Sequence, residues 1–177
     1  KRPSSLIDGI DLLYLSNAVS GKWKSTGKEK LNLTGGAIKS RKTPGLTFAS
    51  AQRVQGANAA IITGGSYNYT FFKVVKNVGG LGNWQISTFG VPAAGGHWLG
   101  LNNLNRWACG IYAGFEVSGG APIDNGIHLI AARADFGAGI IGLSVDGVFV
   151  GSTASAVIPG NGYLTLGDIT YTFVGDI

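Results

Sequence analysis

Cysteine is almost missing from this chain. Cys109 is the only one among 177 residues, which excludes an intramolecular disulfide and any cysteine-built metal site. A lone thiol is expected inside, where cysteine behaves as a small hydrophobe. A chain without disulfides suits a reducing cytoplasm, and many bacterial exported domains also do without them. Charge is scarce too, at 13% of residues against 45% hydrophobic, a balance that excludes a disordered chain. No apolar run approaches the roughly 20 residues that cross a bilayer, so neither membrane insertion nor a signal peptide is expected. Apolar residues nowhere keep helical spacing over three turns. The GxSxG, HExxH and P-loop patterns are all missing.

Glycine, in contrast, is abundant: 30 residues, scattered without the period of three that collagen requires. Short apolar stretches separated by glycines predict an all-β chain of many strands and tight turns. Residues 10–177 are expected to form one domain, with 1–9 as an extended leader or linker fixed in part by Pro3. Strands are expected at 10–15, 31–33, 46–48, 59–63, 67–75, 84–89, 98–101, 106–117, 163–166 and 169–174, with a turn around Trp23. The clearest unit is residues 126–152. His128 to Ala134 reads as a strand, Gly137 to Gly139 breaks it, and Ile140 to Val145 resumes. Asp146-Gly147 then closes a two-residue hairpin, because both central residues of a type I′ turn take positive φ. Val148 to Val150 returns and Gly151 is expected to end the strand.

Basic charge is concentrated early. Residues 1–76 carry twelve of the fourteen Lys and Arg and three acidic residues; residues 77–177 carry two basic and six acidic ones. The cluster Lys22, Lys24, Lys28, Lys30, Lys39, Arg41 and Lys42 has only Trp23 among it. Nucleic-acid binding favours interleaved aromatics, so no specific nucleic acid is expected as partner; the cluster reads as a solvated basic surface, with an anionic cell-surface polymer or an acidic neighbouring subunit as the alternatives.

Several segments resemble laminin-G-like, concanavalin A-like jelly-roll domains. Leu143 to Ser152 follows a pattern like LxVDGxxVGS. Asp11 to Leu15, Gly21-Lys22-Trp23-Lys24 and Gly45-Leu46-Thr47-Phe48 resemble the family's opening, Tyr67 to Lys76 its next strand, and Trp98 to Asn102 its "GxxLGLN" strand. The resemblance spans roughly residues 10–176 and implies a two-sheet antiparallel β-sandwich. It departs from the family in two places. The usual strand after "GDI" does not follow, so the domain is expected either to lack its last strand or to receive one from a partner. The acidic and Asn cluster that holds calcium in sugar-binding members is not seen, so neither calcium nor another cofactor is expected.

The resemblance implies recognition of a cell-surface glycan, on a bacteriophage fibre or decoration protein or on a bacterial surface, hence at the virion surface or outside the cell. A purely structural virion protein contacting other virion proteins is the alternative, and a homo-oligomer is consistent with either. Glycosidases of this fold pair carboxylates on one strand, whereas Glu116 has no acidic residue two or four positions on, so no enzymatic activity is expected. The densest group suited to stacking on sugar and donating to its hydroxyls is His97, Trp98, Asn102, Asn103, Arg106 and Trp107. In that segment Leu99 and Leu101 should share one face and Trp98, Gly100 and Asn102 the other. Trp98 and Trp107 have a competing place in the core. His97, after Gly95-Gly96, is expected in a surface loop.

Overall fold

The computed structural model describes residues 22–24, 32–36, 38–39, 46–48, 52–57, 68–77, 84–90, 96–111, 114, 116–119, 124, 126–135, 137–154, 163–167 and 175–176. Their regular structure is all strand. In chain order the strands are β1 (Lys22–Lys24), β2 (Asn32–Gly35), β3 (Ile38–Lys39), β4 (Leu46–Phe48), β5 (Arg53–Ala57), β6 (Tyr69–Asn77), β7 (Trp84–Gly90) and β8 (His97–Leu101). They continue as β9 (Trp107–Ile111), β10 (Glu116–Gly119), β11 (Ile127–Asp135), β12 (Ile140–Val145), β13 (Val148–Ala154), β14 (Tyr163–Gly167) and β15 (Gly175–Asp176).

One sheet runs β1-β2-β5-β14-β7-β8-β9-β10 and the other β13-β12-β11-β6-β15-β4-β3, with antiparallel pairing throughout. This is the expected two-sheet sandwich. Each strand turns alternate residues inward. Val54, Leu99, Leu101, Trp107, Cys109, Leu164 and Leu166 from the first sheet meet Phe48, Phe71, Val75, Ile130, Ala132, Ile141 and Leu143 from the second. Cys109 is fully buried, and its Sγ points to the Gly142 carbonyl 3.6 Å away across the sandwich. Burial, with a smaller push from the Glu116 charge, raises this thiol to about 12. Lys73 is out of keeping with the core: it takes the inward position between Phe71 and Val75, and burial lowers its ammonium to about 7.

Residues 126–152 form the expected meander, with Asp146 at φ 51° and Gly147 at φ 81° in the turn. Four details differ from expectation. Trp23 lies in a strand, β1, paired with Leu33, and not in a turn. The single strand expected over 106–117 is a hairpin, β9 and β10, in which Gly114 N–H bonds back to the Ile111 carbonyl. Gly151 does not end its strand; β13 runs on to Ala154 with Gly151 opposite Leu143. A Cβ there would stand 3.3 Å from Val117, so this glycine serves the close approach of β10. His97 opens β8 and is no loop residue. The strands expected at 10–15, 59–63 and 169–174, and the leader, lie outside the described residues. Lys22 and Lys24 fall on β1 and Lys39 on β3, the outermost strands of their sheets among the described residues. Among the described residues no helix is long and apolar enough to cross a membrane.

Candidate functional site

Among the described residues, the outward face of the eight-stranded sheet carries the indole of Trp98. On β8, His97, Leu99 and Leu101 turn into the sandwich and are buried, which leaves Trp98 half-buried on the opposite face. Trp98 is in register with Gly110 of β9, and Gly110 with Glu116 of β10. The next row of the same face is Gly100, Ala108 and Ser118. Beside Trp98 the sheet therefore offers a floor of glycine and alanine, itself sunk out of solvent, and beyond it the exposed Glu116 and Ser118. Two inter-strand spacings separate Trp98 from Glu116, about 10 Å between backbones. The arrangement is an indole and a carboxylate on the same face, separated in the row by a residue with no side chain.

Asn102 governs the edge of this site. Its Oδ1 accepts from the N–H groups of Leu104 and Arg106 at 3.0 and 3.1 Å, and its Nδ2 donates to Glu116 at 3.0 Å. Arg106 O accepts from Asn102 N–H, and Asn105, at φ 55°, donates to Asn102 O. The amide thus ties the 102–106 turn to the Glu116 carboxylate. Buried and committed to these bonds, Asn102 positions the site and is not available to a ligand. The turn that it holds presents Asn103 and Arg106 to solvent.

Two of the six candidate residues belong elsewhere. His97 and Trp107, at 0% and 2% exposure, lie between the sheets, where no surface ligand reaches them. The Tyr69 hydroxyl is hydrogen-bonded to His97 Nδ1, and burial, with a smaller contribution from Cys109, raises the tyrosine well above its usual range, so it keeps its proton. Trp107 stacks obliquely on His128, ring centroids 5.6 Å apart. Trp98, Asn103 and Arg106 remain as groups open to contact, and Glu116 joins them.

A second polar cluster went unnoticed in the sequence. His128, at the rim of the inner face, is bonded through Nδ1 to Asp146 at 2.8 Å and through Nε2 to Asp124 at 3.1 Å. Asp146 also accepts from Leu129 N–H at 2.8 Å, which pins the hairpin turn to β11. Desolvation pulls the imidazole's affinity for protons down, but the bonds to Asp146 and Asp124 outweigh it and the pKa is raised. Asp124, through Gly126 N–H and His128, and Asp146, through His128 and Leu129 N–H, are held below the usual carboxylate range. With both ring nitrogens engaged, the cluster serves as an ion-paired latch on the turn. The spacing Asp124…His128 with Asp146-Gly147 was its only trace in the sequence. Among the described residues no set of three His, Cys, Asp or Glu is arranged to hold a metal ion.

No protein-family model matches the chain, and no curated protein sequence matches it significantly. Solved structures do. The fold is similar to Trypanosoma rangeli sialidase in complex with the inhibitor DANA, with a TM-score of 0.69 at 13% identity, over 93% of this chain and 29% of that one. It is also similar to domain 4 of a GH43 extracellular arabinanase from Geobacillus stearothermophilus, in complex with arabinotriose: TM-score 0.55, 13% identity, 81% of this chain and 71% of that one. The CBM40 of the Ruminococcus gnavus IT-sialidase gives 0.52 at 13% identity, over 81% and 85%. The chain thus spans less than a third of the trypanosomal sialidase. At this identity the likeness establishes the sandwich and leaves the site to its own chemistry.

Proposed function

We propose that the chain is a non-catalytic carbohydrate-binding module whose ligand is held between Trp98 and Glu116 on the outward face of the eight-stranded sheet. The observation that carries this reading is a partly exposed indole in one register row with Gly110 and the exposed carboxylate of Glu116. The axial C–H face of a sugar packs on the indole while its outer hydroxyls reach Glu116, Ser118, Asn103 and Arg106. Hydrolysis of a glycosidic bond takes two carboxylates on either side of it. Glu116, tied to the Asn102 amide, suits the holding of a hydroxyl. Support also comes from the neighbours in fold, among which one module was solved with arabinotriose and another is a CBM40. The phage-fibre, decoration-protein or bacterial-surface setting rests on the sequence resemblance alone.

The test is a broad glycan array and a host-cell binding assay on the purified chain, followed by titration of any hit with Trp98→Ala and Glu116→Gln. Loss of the stacking partner should weaken binding about tenfold or more with the fold intact. Silence across the panel, or binding indifferent to both changes, would remove this site from consideration.

A further inference from the structure

The opposite face of the sandwich is apolar where solvent should make it polar. On β6 and β11 the outward positions include Phe72, Val74, Ile127 and Leu129, and β13 adds Phe149; their exposures run from 47% for Leu129 to 66% for Phe149. The register makes these one surface. Val74 lies opposite Leu129, and the row beside it runs Phe72, Ala131, Ser144, Phe149 across four strands. Together the five side chains expose roughly 500 Å², at the upper end of the largest apolar patch on an ordinary monomer.

Its relief is self-complementary. Phe72 and Phe149 stand three inter-strand spacings apart, about 14 Å, as two ridges. Between them lie Ala131, Ser144 and Gly142, and the edge of the Phe149 ring leans over Gly142, where an added Cβ would come within 3.2 Å of it. We propose that this face is a homodimer interface, in which two copies pack outer sheet against outer sheet about a two-fold axis. Each copy then sets its Phe72 ridge into the small-residue trough of the other, as an isologous contact requires. The sheets can approach to the usual 10 Å or so of face-to-face packing because the trough has no large side chains. The patch and its rim of Thr70, Lys76, Arg133 and Ser152 supply roughly the 800 Å² that a standard interface takes from each partner. Arg133 lies 3.6 Å from Asp135, so it enters the rim already paired with a carboxylate. The interface is independent of the carbohydrate reading, since Trp98 lies on the other sheet.

Sedimentation velocity and light scattering on the full chain, from micromolar to sub-millimolar concentration, test the proposal. The expected mass is twice that of the chain, halved in Phe149→Glu and, independently, in Leu129→Lys. Both substitutions are at exposed positions, and an unchanged circular dichroism spectrum checks that the fold survives. A wild-type chain that stays monomeric throughout overturns the proposal, including when the patch turns out to capture a polysaccharide or an apolar peptide. A dimer unaffected by both substitutions also overturns it, because the contact then lies elsewhere.

Discussion

Gly167 and Gly147 both need a left-handed backbone, at φ 69° and 81°, but their surroundings are opposite, and the pair separates two costs that usually come mixed. A Cβ on Gly147 meets nothing within 4 Å, because the residue sits at the tip of the β12–β13 turn. A Cβ on Gly167 would stand 2.4 Å from the Gln52 carbonyl oxygen and 2.7 Å from Cδ1 of Phe48. Neither neighbour yields easily. Gln52 precedes β5, whose Arg53 is the register partner of Gly167, and the Phe48 ring is wholly buried in the core. Gly147→Ala should therefore cost only the backbone term, about 1–2 kcal/mol. Gly167→Ala carries the same term plus overpacking of about 1–3 kcal/mol. For a domain of this size each kcal/mol lowers Tm by about 2–4 °C, so the second variant should melt below the first by about 2–12 °C. Urea titration at constant m-value gives the free energies directly. Equal melting of the two variants would refute the argument, since it would mean that β14 and the Phe48 ring move apart at no cost.

Two residues should make stability depend on pH in opposite senses, and single variants tell them apart. His128 has a raised pKa, so its contribution is fully present below about 6.5, the ordinary histidine value, and is lost as pH rises through the folded value. His128→Asn should remove that loss from a series of melting curves between weakly acidic and weakly alkaline pH; a retained slope would deny the latch its role. Lys73 has a folded value near 7, below its unfolded one, so the unfolded chain binds the extra proton between them and the wild-type protein gains stability as pH rises through that window. Lys73→Met should raise Tm most at neutral pH and progressively less toward pH 10.5, and a uniform gain would show that the ammonium is well solvated in the fold.

The sequence made local features legible where a turn or an alternation carries its own signature. Asp146-Gly147 specified its turn through the φ values that it tolerates, and the alternation of 98–101 correctly set Leu99 and Leu101 on one face and Trp98 on the other, without saying which face was inward. It failed where burial is decided by distant partners. All five residues of β9 are buried, so no alternation marks Trp107 as inward. His97 is drawn into the core by a tyrosine 28 residues away, and His128 takes one of its carboxylates from a turn 18 residues later. Asn102 looked like a ligand-binding amide because its exposure could not be read; its side-chain oxygen is taken by its own turn and its side-chain nitrogen donates to Glu116.

The place of β15 has a consequence for how the molecule is made. β4 does not pair with β6; Gly175 and Asp176 lie between them and pair with both. Among the described residues, β4 and its partner β3 are joined to the rest of their sheet through a segment synthesised roughly 130 residues later, which at ribosomal speeds is a wait of about 6–25 s. Pairing across such a separation raises the contact order and slows folding, and until it forms the inner side of β4, with Phe48, has no place in the sheet. The β11–β12–β13 meander, in contrast, can assemble from neighbouring segments as they emerge. β3 and β4 thus wait for Gly175 and Asp176, while the β11–β12–β13 meander closes locally.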